Sequence, residues 1–522
     1  MKFSDELILS IDAGTQSIRA VFIDLNGNII EIVKTPIEPY FSEFAGWAEQ
    51  EPDYYWQKLT ETTKALFNQT KIDTKRIKAV TLTTQRGTVI NLDKNGNALR
   101  PAITWLDQRR AEETGFPSKF MKLGLKALGL NESILHAVKN GECNWIKQNQ
   151  SDIWEKTHKY VYLSGFFTFK LTGEYVDSIG NMVGYMPFDY KNHKWTNSKH
   201  INYKMFPVER EKLVELVKPS EQLAVISEKA SIETGIPKGL PLMAAGSDKS
   251  SEVLGSGVFS PETACLSYGT TATIQTSSKK YLEVIPFFPP YPSSIPEYYN
   301  TEVMIFRGFW MINWFKKEFG YREVEIAKKT GKLPEDLFDE MISKIPPGSM
   351  GLTLQPYWSP GTKVPGLEAK GAIIGFGDVH TRAHIYRAIL EGLAYALKEG
   401  MIKTEKNTKV KIDKIRVSGG GSQSKNAMQL TADIFNKPAE KPHTYETSAL
   451  GAAINAAVGM NFYNNYEEAV KNMCRISETY QPIKANVEIY EKLYSDVYSK
   501  MYKRLQPLYN QIRSIVKYPE KF

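Results

Sequence analysis

Short apolar runs broken by turn residues dominate residues 7–110, a spacing that predicts strands rather than helices. Leu7–Ile11 and Ile18–Ile23 flank Asp12-Ala13-Gly14-Thr15, and Ile29–Val33 follows Leu25-Asn26-Gly27-Asn28. Asn-Gly supplies the positive φ angles of a tight hairpin, so three consecutive antiparallel strands are expected. Pro52–Phe67 changes period, with Trp56, Leu59 and Leu66 on one helical stripe. Ile77–Thr83 and Thr88–Leu92 return to strand patterns. Residues 110–240 are richer in helical patterns and in Trp, Tyr and Lys. Ile236-Pro237-Lys238-Gly239-Leu240-Pro241 then punctuates the chain before the apolar run Leu242–Ala245.

The plan recurs in the second half. Ala264–Tyr268 and Ala272–Thr276 flank Gly269-Thr270-Thr271. Thr381–Lys403 predicts a long helix, with Thr381 as N-cap and Ile385, Ile389, Leu393 and Leu397 at i, i+4 spacing. The strand Ile412–Val417 runs into Ser418-Gly419-Gly420-Gly421-Ser422, and a helix opens near Ser424–Asn426. Thr447–Val458 is a helix whose small residues, Ala449-Leu450-Gly451-Ala452-Ala453, permit close approach of a neighbouring backbone. The tail beyond Asn486 reads as a surface helix that either forms a homodimer interface or packs on the second lobe. A hairpin followed by helix and strand, twice over, describes two α/β lobes with mixed sheets, and ligands of such sheets collect at loop ends, in the cleft between lobes.

Each glycine-threonine turn leaves backbone N–H groups and a hydroxyl at a hairpin tip, which suits a phosphate oxygen. Two such turns half a chain apart point to two related lobes gripping one polyphosphate. Asp12, beside the first turn, would repel that ligand unless it holds a cation such as Mg²⁺; the alternative is an Asp that caps its own turn. Arg19 can alternate back toward the same phosphates. Asp248, in Gly246-Ser247-Asp248-Lys249, ends a strand and begins a helix between the two halves. Phosphoryl transfer to a hydroxyl needs a group that orients and deprotonates the attacking oxygen, and Asp248 suits that task; it is equally a preferred helix cap. Gln85-Arg86-Gly87 and Trp105-Leu106-Asp107-Gln108-Arg109-Arg110 supply amide, guanidinium, indole and carboxylate for a polyhydroxylated ligand. Trp105 equally fits a core position, and Asp107 a surface pair with Arg109 or Arg110.

Composition narrows the classes. At 522 residues, 42% hydrophobic and 24% charged, the chain has the balance of a multidomain globular protein. Its net charge of +8 is spread out, and without a basic cluster a nucleic-acid partner is not expected. Cys143, Cys265 and Cys474 lack CxxC spacing, and the seven histidines form no HxH or HExxH motif, which argues against disulfides, zinc and a Ser-His-Asp hydrolase. His384 and His443 read as cap or surface residues. With no signal-peptide pattern and no long apolar stretch, a cytoplasmic protein without a membrane partner is expected.

Taken together these residues resemble the FGGY family of carbohydrate kinases, within the actin-like ATPase superfamily, from about Leu7 to about Cys474. Ile11-Asp12-Ala13-Gly14-Thr15-Gln16-Ser17-Ile18-Arg19 resembles the opening D-x-G-T-x-x-x-R, Ala264–Thr273 the second phosphate turn, and Gly419–Asp433 the adenosine motif. Gly371-Ala372-Ile373-Ile374-Gly375-Phe376 and Arg387-Ala388-Ile389-Leu390-Glu391 resemble the C-terminal signature. The resemblance implies two actin-like (ribonuclease H-like) lobes, each a mixed five-stranded sheet flanked by helices, with an interlobe cleft. It divides the chain into 1–250, 251–485 and a helical tail, 486–522. It implies ATP-dependent phosphorylation of a sugar, polyol or sugar acid, with Asp248 as general base and Asp12 helping to hold Mg²⁺ through water. Thr15, Gly269 and Thr270 would contact phosphates, with Gln16 and Arg19 beside them, and Gly420, Gly421 and Ser424 would border the adenosine. Gln85, Arg86, Trp105 and Asp107 would line the carbohydrate site with Asp248.

Three departures bear on the substrate. Glycerol kinases carry Arg-Glu where this chain has Arg86-Gly87, so one glycerol-contacting carboxylate is missing. Xylulose kinases usually carry Met-His-Gly near Gln85-Arg86-Gly87, and Glu142 stands where the N-terminal signature usually has Lys. A non-catalytic, nucleotide-dependent conformational module of the same superfamily is the competing reading, although such a switch needs no sugar pocket.

Overall fold

A computed structural model describes residues 5–517 apart from 113, 115, 128–130, 286–287, 360–364 and 367. The three expected strands form Leu7–Ala13, Ser17–Asp24 and Ile29–Pro36, antiparallel in sequence. Leu7–Ala13 also pairs in parallel with Ile77–Thr84, which pairs in parallel with Pro241–Met243. The second half repeats this order. Thr263–Tyr268, Ala272–Ser278 and Tyr299–Ile305 run antiparallel, and Thr263–Tyr268 continues in parallel into Lys414–Ser418 and then Ala439–Pro442.

Both sheets are wider than the five strands expected. Gln222–Val225 adds a sixth strand to the first, antiparallel to Pro241–Met243. Ile476–Tyr480 adds the matching antiparallel strand to the second sheet, and Tyr291–Pro292 makes a seventh at its opposite edge. These edge strands are short or half-exposed, so they lack the continuous apolar run that marks a central strand. Val89–Leu92 joins neither lobe sheet. It pairs instead with Ala102–Ile103 and Lys159–Tyr162 in a separate small sheet.

The lobes meet through two helices. Asp248–Gly255 packs against Thr447–Gly459 so closely that a Cβ on Gly451 would lie 1.9 Å from the Ser251 carbonyl oxygen, and one on Gly255 1.9 Å from that of Thr447. Thr447–Gly459 also covers the first sheet, where Ala449, Leu450 and Ala453 pack with Ile8, Val21 and Ala79. The long helix spans Arg382–Thr408, with Thr381 and His384 closing a capping box at its start. The tail is less superficial than expected. Lys484–Leu493, the π-helical turn Tyr494–Tyr498 and Ser499–Val516 bury Tyr490, Tyr498, Met501 and Tyr509 on the second lobe, and Tyr490 donates to Glu391 of the signature at 2.8 Å. Among the described residues no helix is long and apolar enough to cross a membrane.

Candidate active site

Asp12 ends the first strand, buried, directly opposite Arg19 on the hairpin. Arg19 does not stand free at the tip. It donates to Asp12 at 2.8 Å and pairs with the buried Glu446 at 3.2 Å. Burial raises the Glu446 pKa, Arg19 opposes that shift and Asp12 adds to it. Two carboxylates thus share one guanidinium, leaving a formal charge of −1 behind the turn. Thr15, half-buried, accepts a 3.1 Å bond from the Trp105 indole, and Gln16 is exposed. Gln85 N–H donates to the Ala13 carbonyl at 2.9 Å, which brings the Gln85-Arg86 loop beside the first turn.

Asp248 is the first residue of its helix, with Ser247 rather than Asp248 at the cap position. Burial pushes the Asp248 pKa up to about 6, against the pull of Arg86 and Lys249. Arg86 forms a two-pronged pair with Glu302 of the second sheet, at 2.8 and 2.9 Å, and its guanidinium lies 5.1 Å from the centre of the Tyr291 ring. Two buried polar atoms lie next in sequence to Arg86 and to Asp248: Gln85 Oε1 and Ser247 Oγ have no protein partner. Glu302 therefore stands, from the other half of the chain, on the Arg that lacks a neighbouring Glu at Gly87.

The second turn has a different backing. Its Gly269 and Thr270 carbonyls accept from Phe309 and Trp310 N–H groups, and Thr270 is exposed. Lys249 Nζ bonds Ser267 at 2.6 Å and Glu252 at 2.8 Å, and a Cβ on Gly269 would lie 3.9 Å from it. Glu252 also accepts from Ser267 at 2.8 Å and from Ser418 at 2.7 Å, immediately before the glycine triad. Burial works against the Lys249 charge, but Glu252 and Asp248 outweigh it and raise its pKa.

Gly419 follows at φ +79°, where a Cβ would lie 2.9 Å from the Tyr268 carbonyl oxygen. The triad passes through a short 3₁₀ turn, Gly420–Gln423, before the helix Lys425–Phe435 that the sequence places directly after it. A Cβ on Gly420 would meet open space, whereas the Phe309 ring lies flush against Gly421. Ser424 caps the helix by accepting from Ala427 N–H and also donates to Asp339 at 2.7 Å.

Asp107 is not placed to bind a hydroxyl. Both of its oxygens are taken, by Ala48 N–H and by Arg109, whose guanidinium lies 3.9 Å from the centre of the Trp47 ring. The expected Asp107–Arg109 pair exists, but it is buried rather than on the surface. His443 links the two halves of the chain, its Nε2 2.9 Å from the Gly27 carbonyl oxygen. Lys249, Glu252, Glu302 and Glu446 escaped the sequence reading. Only the i, i+3 spacing of Lys249 and Glu252 on a short helix signalled one of these pairs.

Paired lobes of one topology, a turn at the same place in each, and a half-buried acid on the helix between them define a two-lobe, actin-like architecture. Residues 7–255 match the FGGY family of carbohydrate kinases, N-terminal domain, and 264–460 the C-terminal domain of the same family. The chain belongs to that family and is an ATP-dependent sugar kinase. It is 30% identical to "Uncharacterized sugar kinase YgcE" of Escherichia coli, over 96% of this chain and 94% of that protein. It is 27% identical to a xylulose kinase of Staphylococcus epidermidis, over 96% and 98% of the two chains. The crystal structure of xylulose kinase from Rhodospirillum rubrum shares the fold, with a TM-score of 0.79 and 22% identity over 97% and 100% of the two chains.

Proposed function

We propose that the chain transfers the γ-phosphoryl group of ATP to a hydroxyl of a small sugar, polyol or sugar acid, with Asp248 as general base. The observation that carries this reading is the half-buried Asp248 carboxyl, at the start of the interlobe helix, flanked by Arg86 and Lys249, with a pKa pushed up to about 6. A base in that range is ionised at neutral pH yet accepts a hydroxyl proton more readily than an ordinary carboxylate. Gln85, Arg86 and Trp105 border the carbohydrate, and the unpartnered Gln85 Oε1 and Ser247 Oγ supply acceptors for its hydroxyls. Asp107 belongs instead to the scaffold beneath them. Thr15 and Gln16 of the first turn and Gly269 and Thr270 of the second hold the phosphates, and Gly420, Gly421 and Ser424 border the adenosine. Arg19 contributes by orienting Asp12 more than by meeting phosphate.

The Asp12, Glu446 and Arg19 cluster, with its formal charge of −1, fits Mg²⁺, which takes one or two carboxylates and completes its shell with water and phosphate oxygens. Bound there, Mg²⁺ supplies charge neutralisation to the phosphates; among the described residues no group of three or more His, Cys, Asp and Glu side chains offers a closed metal cage. Coupled detection of ADP across pentuloses, polyols and sugar acids identifies the acceptor. Asp248→Ala is expected to lower kcat by about 10³-fold or more while nucleotide affinity stays near wild type. Full retained turnover would refute the role of Asp248.

A further inference from the structure

Lys249 follows the proposed base by one residue, yet its ammonium reaches toward the other partner of the reaction. Nζ lies 2.6 Å from Ser267, two residues before Gly269, and 3.9 Å from where a Cβ on Gly269 would stand. Glu252, one helical turn on, fixes that position. Its carboxylate gathers Lys249, Ser267 and Ser418, so one buried anion ties the base helix to the strand entering the second turn and to the strand entering the glycine triad. Since the base must adjoin the attacking hydroxyl, its sequence neighbour stands at the γ end of the nucleotide.

Resting on the kinase reading above, we infer that Lys249 is a catalytic residue that places a fixed positive charge on the transferred phosphoryl group, with Glu252 as its positioning residue. A lone pair of the substrate hydroxyl forms the new O–P bond as its proton passes to Asp248. The bond between the γ-phosphorus and the bridging oxygen breaks with its electron pair leaving on ADP. Lys249 keeps its proton throughout and stabilises the equatorial phosphoryl oxygens, where charge is spread in the transition state.

The test compares two nucleotides and needs no knowledge of the sugar. Calorimetric titration of the full chain with magnesium present would measure Kd for ADP and for the β,γ-imido analogue of ATP. In Lys249→Met the analogue is expected to bind about tenfold more weakly, the loss of one charge-assisted contact, with ADP affinity within about twofold of wild type. Lys249→Arg should recover most of the difference. Because Lys249→Met strands a buried carboxylate, the double variant K249M/E252Q is measured beside it and should show the same selective loss. Equal weakening of both nucleotides, no weakening of either, or failure of both variants to fold would each make the pair structural and overturn the inference. Wild-type protein that binds neither nucleotide would instead overturn the kinase reading itself.

Discussion

The two glycine-threonine turns each close an antiparallel strand pair at the same place in its lobe, yet their electrostatic surroundings differ. The first is backed by Asp12, Arg19 and Glu446, a cluster of formal charge −1. Behind the second, Lys249 and Glu252 sum to zero, but the ammonium is the group nearer the turn. A repeated fold therefore does not repeat its chemistry. On the proposed function, the first turn is equipped for an anion that arrives with a cation, the second for direct contact between cation and phosphate.

That division of labour requires the turns to be held in one register, and the interlobe helix pair does this. Gly451→Ala should break it most severely. The added methyl would stand 1.9 Å from a backbone carbonyl oxygen that no side-chain rotation can move. Overpacking of this kind costs about 3 kcal/mol, well beyond the gain of up to about 1 kcal/mol from replacing a helical glycine. Chemical denaturation should show the loss, and ATP and ADP affinities should fall together, unlike the selective effect at Lys249. Unchanged stability would mean that the helices separate freely.

Asp248, between the turns, should show its raised pKa twice over. As pH falls through about 6, turnover should drop as the base becomes protonated. Stability should change in the opposite sense. The folded-state pKa lies above the ordinary value of 3.8, so the folded protein binds the extra proton between those values and loses stability as pH rises through that window. Since Asp248 is half-buried, the effect is on the order of 1–3 kcal/mol. Asp248→Asn removes it and should be inactive yet more stable than wild type at pH 8, with the difference gone at pH 4. Equal stability of the two proteins at pH 8 would contradict a partly desolvated Asp248 that is ionised there.

Much of this was legible in the chain because it is local. Asn26-Gly27, the strand-turn-strand periods around Gly14 and Gly269, and the small residues of Thr447–Gly459 each dictate a backbone shape from neighbours in sequence. Thr381 announces a helix start in the same way. What stayed hidden depends on tertiary pairing. Val89–Leu92 has a strand's pattern, but nothing in it says that its partner is Lys159–Tyr162 rather than Ile77–Thr84. Asp107 looked available for substrate because its true partners, Arg109 and the Ala48 amide, meet it only in the folded core. Glu302 and Glu446 lie 216 and 427 positions from the arginines they bind, so local sequence cannot connect them. The missing carboxylate beside Arg86 was visible as an absence, and its replacement only in three dimensions.

The finest distinction between the turns is which of them depends on magnesium. Asp12→Asn leaves shape and hydrogen-bonding capacity nearly intact and moves the first cluster from −1 to zero. If that charge serves Mg²⁺, the concentration of magnesium for half-maximal turnover should rise about tenfold, in the range seen when residues supporting a metal site are changed. At saturating magnesium, ATP affinity should return toward wild type. Lys249→Met should behave in the reverse way, with its magnesium requirement unmoved and its discrimination between ATP and ADP lost. Arg19→Met supplies the sharpest control, because it raises the magnitude of the negative charge at the same turn to −2 and should lower the magnesium requirement, provided thermal unfolding shows the variant folded. A lower requirement in Asp12→Asn, or a shift of equal size in Lys249→Met, would show that the two turns do not divide cation and phosphate between them.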